Sequence, residues 1–254
     1  MEIRFDNKNV IVTGASTGIG RATAIEFAGS GAAVLVNYNR SVDAAEKVVE
    51  IIMKEGGKAF AVQADVSNAE GVSKLFSEAE NKFGDRIDIL VNNAGGLLER
   101  RIIQEVDETL WDKCMDLNMK SVFLCCKAVI PYMKKHNYGR IINISSIAAR
   151  NGGGIGASHY STTKAAVLNF TKGLAKELAQ SGITVNNVAP GLIDTPFHDR
   201  LTSDELRAKF RETIPLKRDG TPEEIAYTIL FLASDYANYI LGETIEVNGG
   251  MLMD

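Results

Sequence analysis

The sequence contains few of the residues that build metal centres, disulfide scaffolds or rigid extended chains. It has three cysteines, three histidines, five prolines and one tryptophan among 254 residues. The cysteines have neither metal-ligand spacing nor the pattern of a disulfide framework, and Cys125 and Cys126 lie inside an apolar run. No apolar run reaches the roughly 18 residues needed to cross a bilayer. These absences predict a protein with no metal site and no membrane segment.

The net charge is also small, and its sign argues against two kinds of partner. The chain carries 28 basic and 32 acidic side chains, a formal charge of −4. A surface for nucleic acid or an anionic membrane would need an excess of basic residues. We therefore expect a small-molecule substrate, with no nucleic-acid and no membrane partner. The opening segment MEIRFDNKNV has neither the basic nor the apolar region of a signal peptide, so the expected location is cytoplasmic.

Short β-branched apolar runs alternate with longer amphipathic segments along the chain. Helices are predicted in the longer segments, for example over Ala44–Glu55. This helix is expected to end at Gly56 and Gly57. This alternation is typical of βαβ units. We expect an α/β fold, a doubly wound Rossmann-like parallel sheet of about seven strands with helices on both faces. The predicted strands are Asn9–Thr13, Ala33–Asn37, Ala59–Gln63, Ile87–Val91, Arg140–Ile144, Thr184–Val188 and Thr244–Val247.

Two loops interrupt the alternation, but no linker or repeat divides the chain. A single domain over residues 1–254 is therefore expected. One loop is the glycine run Gly152–Gly156, directly after a predicted strand. The other covers about residues 191–215, is polar, and contains a short helical pattern over Ser203–Arg211. Because α/β proteins place substrate contacts in loops after strand ends, we expect a substrate lid at about 191–215.

A glycine-rich turn joins the first predicted strand to the first predicted helix. Its sequence, TGASTGIG, covers Thr13–Gly20 and leads into a helix over Arg21–Phe27. Gly14 permits a tight turn, Gly18 lets the backbone approach a diphosphate, and Gly20 lets the helix pack closely on the strand. The helix N-terminus presents free N–H groups to phosphate oxygens. The turn therefore predicts a dinucleotide-binding site.

The end of the second predicted strand indicates which dinucleotide is bound. An acidic side chain there would bind the ribose 2′-hydroxyl of NAD, but the segment after Val36 reads Asn37-Tyr38-Asn39-Arg40 and has no acid until Asp43. The guanidinium of Arg40 can pair with a 2′-phosphate. The sequence favours NADP(H), with NAD(H) as the alternative.

Tyr160 and Lys164 are a candidate catalytic pair. They are one helical turn apart at the start of a helical stretch over Tyr160–Gln180, so they share a face. A strand that ends in Ser145 and Ser146 places a hydroxyl at the same edge of the sheet. A tyrosine with a pKa near 10 is a poor acid or base at neutral pH. We expect the ammonium group and a positively charged nicotinamide ring to lower that pKa.

These motifs together resemble the single-domain branch of the short-chain dehydrogenase/reductase family. They are Thr13–Gly20, Asn92–Gly95, Ser146, the Tyr160/Lys164 pair and Asn186–Gly191, in the family's order and across essentially the whole chain. The resemblance implies an NAD(P)(H)-dependent oxidoreductase that transfers a hydride between nicotinamide and a carbonyl or secondary alcohol.

The resemblance also implies a role for each site residue. Tyr160 would be the general acid/base, Lys164 would bind the nicotinamide ribose and lower the Tyr160 pKa, and Ser146 would orient the substrate carbonyl. Asn118 would hold a water in a proton relay through Lys164. Ser146 is preferred over Ser145 because the strand then aligns without a shift. The candidate cofactor-binding residues are Gly14, Ser16, Thr17, Gly18, Ile19, Gly20, Asn37, Tyr38, Asn39, Arg40, Asp65, Val66, Asn92, Ala94, Gly95, Tyr160, Lys164, Pro190, Gly191, Ile193 and Thr195.

Some of these residues also have a plain structural interpretation. Asn118 could bridge helices, and Asp65 could cap the helix that follows it. Asn92 could belong to an ordinary turn at a strand end, and Thr195, which precedes a proline, could be only a loop residue.

Two substrate classes remain open. Within the family, the sequence is similar to 3-oxoacyl-[acyl-carrier-protein] reductases and to bacterial sugar or polyol dehydrogenases. The former commonly have an arginine where this chain has Ser181, before Gly182. The segments expected near the pocket mouth are polar and basic, which suggests an anionic keto sugar or sugar acid. Those residues are Glu99, Arg100, Arg101, Arg150, Asn151, His159, His198 and Arg200.

Two other functions are weighed against an oxidoreductase. A nucleotide-sugar epimerase or dehydratase shares the Tyr/Lys pair, but usually carries a sizeable C-terminal substrate domain, and the region after Thr195 is too short for one. A non-catalytic dinucleotide sensor would not need Asn118, Ser146, Tyr160 and Lys164 together. By resemblance we expect a homotetramer, with a dimer as the alternative.

Overall fold

A computed structural model of the chain describes residues 2–196 and 204–253. The strands are β1 (Asn9–Val12), β2 (Ala33–Tyr38), β3 (Lys58–Gln63), β4 (Ile89–Asn92), β5 (Gly139–Ile144), β6 (Ile183–Pro190) and β7 (Thr244–Val247). The α-helices in these ranges are α1 (Gly18–Gly29), α2 (Val42–Lys54), α3 (Ala69–Phe83), α4 (Glu108–Met115), α5 (Ser121–Lys135), α6 (Ala148–Asn151), α7 (Ser158–Leu178), α8 (Asp204–Thr213) and α9 (Pro222–Ala233).

The described strands form one parallel sheet in the order β3-β2-β1-β4-β5-β6-β7, which confirms the predicted fold class. Strand order reverses between β1 and β4, so a crevice opens there at the carboxyl ends of the strands. β6 extends two residues beyond the predicted Val188, because Ala189 and Pro190 pair with Glu246 and Val247 of β7.

Alternate side chains of the strands enter two separate core layers. On β1, Val10 and Val12 pack in one layer with α1, α2 and α9, whereas Ile11 packs in the other with α3, α5 and α7. Helices therefore cover both faces of the sheet, as the near-continuous apolar strands predict. Cys125 and Cys126 lie in the second layer. None of the described helices combines the length and the apolar character that a bilayer crossing requires.

The carboxyl ends of four strands converge on the crevice and position the site. The glycine-rich turn follows β1, Asn93–Gly96 follow β4, Ser145 and Ser146 follow β5, and Gly191–Thr195 follow β6. Of the predicted lid at about 191–215, residues 191–196 and 204–215 are described. His198 and Arg200 lie outside the described ranges.

Candidate active site

The glycine-rich turn has the backbone shape that a bound diphosphate requires. Gly14 and Gly18 have φ angles of 62° and 55°, in the region that glycine adopts at little cost. A Cβ at Gly14 would lie 2.9 Å from Ala94 Cα, and one at Gly20 would lie 2.5 Å from the Gly14 carbonyl oxygen. No side chain caps α1 at its N-cap residue, Thr17, so its first N–H groups can bind an anion. The residues present therefore fit the diphosphate of a dinucleotide.

The buried Thr13 and the half-buried Asn93 fix this turn against the loop after β4. The hydroxyl of Thr13 accepts hydrogen bonds from the backbone N–H groups of Asn93 and Ala94, both at 3.0 Å. The Asn93 side chain donates to the carbonyl oxygens of Thr13 at 2.9 Å and Gly14 at 3.0 Å. Thr13 and Asn93 are absent from the predicted site residues. Their place inside the two recognised motifs was the signal that could have identified them.

Asn37 and Asp65 lie on the cofactor side, but their polar atoms also bind the protein. The buried Asn37 side chain accepts from the Gly14 N–H at 3.2 Å and donates to the Ala64 carbonyl at 3.1 Å. The Asp65 carboxylate accepts from the Ser67 N–H at 3.0 Å. The interpretation that Asp65 caps the next helix is wrong, because Asn68 caps α3. The cofactor roles predicted for Asn37 and Asp65 remain predictions.

The remaining cofactor candidates divide into accessible and buried groups. Ser16, Thr17 and Ile19 in the turn, and Asn39 and Arg40 after β2, reach solvent. Thr195 is half-buried and lies against the turn, because a Cβ at Gly18 would be 3.3 Å from its methyl group. Tyr38, Ala94 and Gly191 are half-buried, as Ser16 and Ile19 are, and the fully buried candidates are Val66, Asn92, Pro190 and Ile193.

Asn92 and Val66 direct their side chains away from the crevice. Asn92 donates to the Asn143 side chain at 2.8 Å and to Cys126 Sγ at 3.3 Å in a buried polar chain. Val66 packs in the second core layer. Any contact of these two residues with a dinucleotide would therefore use their backbone.

Tyr160, Lys164, Asn118 and Gly95 come together from three parts of the chain, α7, the π-helical turn and the loop after β4. The Lys164 ammonium donates to the Ile144 carbonyl at 2.8 Å and lies 5.7 Å from the centroid of the Tyr160 ring. A Cβ at Gly95 would lie 2.7 Å from Asn118 Oδ1 and 3.0 Å from Lys164 Nζ. Only a glycine therefore leaves open the space beside both side chains.

The two serines at the end of β5 have different surroundings. The Ser145 hydroxyl is buried, donates to the Val188 carbonyl at 3.4 Å and accepts from the Asn187 side chain at 2.6 Å. The half-buried Ser146 hydrogen-bonds the Tyr160 side chain. Ser146 is therefore the serine beside Tyr160, and its contact with the substrate remains a prediction.

Asn118 lies in a turn of π-helix, Asp116–Lys120, between α4 and α5. Its side chain is fully buried, donates to the carbonyl oxygens of Gly96 at 2.8 Å and Cys114 at 2.9 Å, and accepts from the Gly96 N–H at 2.9 Å. Asn118 therefore joins the π-turn to the loop after β4, and not two packed helices. Such turns are frequent at functional sites. Its role in a proton relay remains a prediction.

Burial shifts the proton affinities of the catalytic pair in opposite directions. It raises the pKa of Tyr160 to about 12, although the hydrogen bond from Ser146 opposes the shift. It lowers the pKa of Lys164 to about 8. In the protein's own groups desolvation therefore outweighs the hydrogen bond with Ser146, and the lowering expected with a nicotinamide ring beside Tyr160 remains a prediction. At neutral pH Tyr160 keeps its proton.

The basic side chains predicted at the pocket mouth form contacts within the protein. Arg100 donates to the Ile155 carbonyl at 3.0 Å, Arg101 pairs with Glu99 at 2.8 Å, and Arg150 approaches Glu246 at 3.5 Å. His159 is buried. The same region exposes apolar side chains, among them Leu98, Ile102, Ile103 and Ile155.

Acidic side chains anchor α8 within the predicted lid. Arg207 donates to Asp219 at 2.8 Å and to Asp194 at 2.5 Å. Arg211 binds the Asp219 carboxylate through two hydrogen bonds of 2.8 Å. The two arginines hold the pKa of Asp219 below its usual value. Sequence reasoning did not identify this anchor, because the partners lie in separate elements.

The described residues contain no group of three or more histidine, cysteine or acidic side chains that could hold a metal ion. The titratable groups that meet in the crevice are Tyr160 and Lys164, together with Cys114 behind them. Their arrangement can donate a proton to a substrate oxygen beside a dinucleotide.

Comparison with known proteins agrees with this chemistry. The family described as enoyl-(acyl carrier protein) reductase matches residues 14–252. A 3-oxoacyl-[acyl-carrier-protein] reductase FabG of Staphylococcus epidermidis is 47% identical over 97% of this chain and all of its own length. A 3-oxoacyl-[acyl-carrier-protein] reductase of Synechocystis is 49% identical over 96% of each chain. A 7α-hydroxysteroid dehydrogenase, solved with NADH and 7-oxo glycochenodeoxycholic acid, has a TM-score of 0.93 and 35% identity, over 100% of this chain and 97% of its own.

Proposed function

Because this chain belongs to the short-chain dehydrogenase/reductase family, we propose that it reduces the keto group of a 3-oxoacyl thioester to a hydroxyl group. It is an NAD(P)(H)-dependent oxidoreductase acting on carbonyl and CH–OH groups, and the epimerase and sensor alternatives are not favoured. One observation carries the choice of substrate: proteins named 3-oxoacyl-[acyl-carrier-protein] reductase share nearly half of their residues with this chain across almost its whole length.

The chemistry of the site mouth supports an acyl substrate over a sugar acid. Arg100, Arg101 and Arg150 each have a partner within the protein, so their guanidinium groups are partly engaged before an anionic substrate arrives. Ile155 is 88% exposed, and Leu98 is 38% exposed. Apolar side chains in such positions gain free energy when an acyl chain covers them.

The proposed mechanism assigns the cofactor to the crevice between β1 and β4. Gly14–Gly20 and the N-terminus of α1 would hold its diphosphate, and Lys164 would hold its nicotinamide ribose. When bound, the nicotinamide supplies the hydride for the carbonyl carbon.

The protein's own residues then handle the oxygen and its proton. Ser146 donates a hydrogen bond to the substrate oxygen and holds it beside Tyr160. Tyr160 gives its proton to that oxygen, and the pKa raised to about 12 keeps this proton in place until the oxygen gains charge. Lys164, with a pKa of about 8, can exchange protons near neutral pH and restore the tyrosine. Asn118 would hold the water through which this proton passes.

NADP(H) is the proposed cofactor, with NAD(H) as the alternative. The exposed Arg40 follows β2, beside the carboxyl end of β1 where the crevice begins. The acidic residue next along the chain, Asp43, lies in the first turn of α2. A guanidinium group in this position suits a 2′-phosphate, and an adenosine ribose without phosphate would gain nothing from it.

The first experiment measures NADPH oxidation by the purified protein with four ketones. These are an acetoacetyl thioester on acyl carrier protein, the same acyl group on coenzyme A, a keto sugar acid and a steroid ketone. We expect both thioesters to be reduced. Ser181, in the turn Ala179–Ser181, replaces an arginine expected of carrier-protein reductases, and favours a second candidate, an enzyme that prefers the coenzyme A thioester. Reduction of the sugar acid or the steroid without either thioester would overturn the proposal.

A homotetramer is the proposed assembly, with a dimer as the alternative, and the cytoplasm is the proposed location. In the described sheet β7 is an edge strand whose four residues are all half-buried. Tyr236, Tyr239 and Leu241, in the segment that precedes β7, are exposed. An apolar edge of this kind gains stability when a second subunit covers it. Light scattering on the eluted protein measures the subunit number, and fractionation of cells tests the location.

A further inference from the structure

Leu98 is held in a strained turn at the substrate side of the crevice. Its φ angle is 65°, and the N–H of Glu99 donates to the carbonyl of Leu97 at 2.9 Å. A hydrogen bond between residues two apart, around a residue with positive φ, describes a γ-turn of the rare, strained form. Residues other than glycine seldom adopt this backbone conformation unless the surrounding structure imposes it.

His159 supplies the second contact to the same carbonyl. Its Nε2 lies 3.2 Å from the Leu97 oxygen. Because a carbonyl can only accept, Nε2 must carry the hydrogen, which makes Nδ1 of a neutral ring an acceptor. Nδ1 is buried and has no hydrogen-bond partner within residues 2–196 and 204–253. The imidazole is 1% exposed, so the hydrogen bond to the Leu97 carbonyl compensates for part of the cost of burying the ring.

The segment after Leu98 is attached to the glycine loop. The Arg101 N–H donates to the Gly156 carbonyl at 3.0 Å, and the Arg100 side chain donates to the Ile155 carbonyl at 3.0 Å. Residues 97–101 therefore form a wall between α7 and the glycine loop, fastened by His159 at one end and by these bonds at the other. The partly exposed Leu98 side chain lies between the two fastenings.

We propose that His159 is a positioning residue that holds the Leu98 turn, and that this turn selects for the apolar chain of a ketone substrate beyond its carbonyl. His159 immediately precedes Tyr160 on α7, so the wall and the proton donor are placed by the same helical turn. The selected chain is an acyl group, because Leu98, the exposed side chain between the two fastenings, is apolar. This inference rests on the proposed function.

Two substitutions separate the hydrogen bond from the volume of the ring. His159→Phe fills the space without a donor, whereas the amide of His159→Gln can donate to the Leu97 carbonyl. For His159→Phe we expect the KM of a six-carbon 3-oxoacyl thioester to rise about tenfold, with little change in kcat and in the NADPH dissociation constant. His159→Gln should restore most of the KM. A loss of kcat in both variants, or no rescue by glutamine, would overturn the proposal.

Hydrogen–deuterium exchange of the free protein reports on the turn without turnover. The Glu99 amide, bonded to Leu97, should exchange faster in His159→Phe than in the wild type or in His159→Gln. If the wild type reduces no thioester, the proposed function fails, but this measurement still decides whether His159 holds the turn. Unchanged exchange at Glu99 in His159→Phe would overturn that assignment.

A double substitution tests the strain directly. Leu98→Gly removes both the side chain and the backbone strain, whereas the control Leu98→Ala removes the side chain and keeps the strain. The effect of His159→Phe on Glu99 exchange should be much smaller when it is combined with Leu98→Gly than when it is combined with Leu98→Ala. Equal effects in the two combinations would contradict a clamp on a strained turn.

Discussion

The cofactor end and the substrate end of the crevice are built by different means. At the cofactor end, Gly14 and Gly18 shape the backbone, and the side chains of Thr13 and Asn93 hold it in place. At the substrate end, side-chain contacts join segments that belong to no single motif, such as Arg100 to Ile155 and Arg207 to Asp219.

This difference explains why the residues of the cofactor end are easier to predict from the sequence than those of the substrate end. A phosphate cradle needs a backbone conformation that few residue types adopt, so its motif is short and contiguous. A substrate wall depends on which loops meet and on whether a charge is already paired. If the two ends are separable, a substitution at one end should leave the other end's function unchanged.

Tyr160→Phe should have the largest effect of these substitutions, and that effect should be confined to the substrate end. We expect kcat for ketone reduction to fall about 10³-fold, because the proton donor is lost. The NADPH dissociation constant should stay within about twofold, since the glycine-rich turn is unchanged. Steady-state kinetics and fluorescence titration with NADPH measure the two. A comparable loss of NADPH affinity would show that the two ends are not separable.

Ser146→Ala and Ser145→Ala should differ although the residues are neighbours. Ser146→Ala should lower kcat about 10²-fold, because it removes a hydrogen bond to the substrate oxygen and the one to Tyr160. Ser145→Ala should retain most of the activity and lose about 1 kcal/mol of stability, because the Asn187 side chain loses an acceptor. Kinetics and denaturation of both variants provide the test. Equal losses of kcat would contradict the assignment.

Gly14→Ala should damage the cofactor end. The added Cβ meets Ala94 Cα, and alanine is strained at a φ of 62°. We expect a loss of about 2 kcal/mol of stability and at least about a tenfold weaker NADPH affinity. Gly29→Ala is the matched control, because nothing lies within 4 Å of its added Cβ. If the two variants behave alike, the turn is not the tight cradle described above.

Lys164 gives a pH test of the burial at the catalytic pair. Its pKa is about 8 in the folded protein, below the ordinary value of about 10.4. Below pH 8 the ammonium is charged in both states, so the folded state carries the full cost of burying it. As the pH rises from 8 to 10, the folded state loses the proton first and the free energy of unfolding increases.

Relative to Lys164→Met, the wild type should therefore gain about 2 kcal/mol between pH 7 and pH 10. Urea denaturation of both proteins at several pH values measures this difference. Parallel stability profiles would show that the ammonium is better solvated than its burial indicates.

Arg40→Ala should have the smallest effect of these substitutions. It tests which dinucleotide the cofactor end prefers. Loss of a pairing with the 2′-phosphate should weaken NADPH binding about tenfold. NADH, which lacks that phosphate, serves as the internal control and should bind unchanged. Equal weakening of both dinucleotides would place Arg40 outside the recognition of the phosphate.

Much of the fold and part of the site could be predicted from the sequence. The strands were located to within a few residues, because alternation between apolar runs and amphipathic segments is a local pattern. Gly14, Tyr160 and Lys164 were identified from motifs. The anchor of Arg207 on Asp219 and the contact of His159 with Leu97 were missed, because neither pair lies within one recognised motif.

The sequence by itself determined the order of the elements, the α/β class and the glycine-rich turn, since these depend on periodicity and on backbone freedom over short stretches. Only the tertiary structure decided that Ser145 binds Asn187 while Ser146 meets Tyr160. It also decided that the Tyr160 pKa rises, because burial is a property of the folded neighbourhood. Hydrogen bonds and desolvation depend on residues that the chain brings together from a distance, and no stretch of sequence contains both partners.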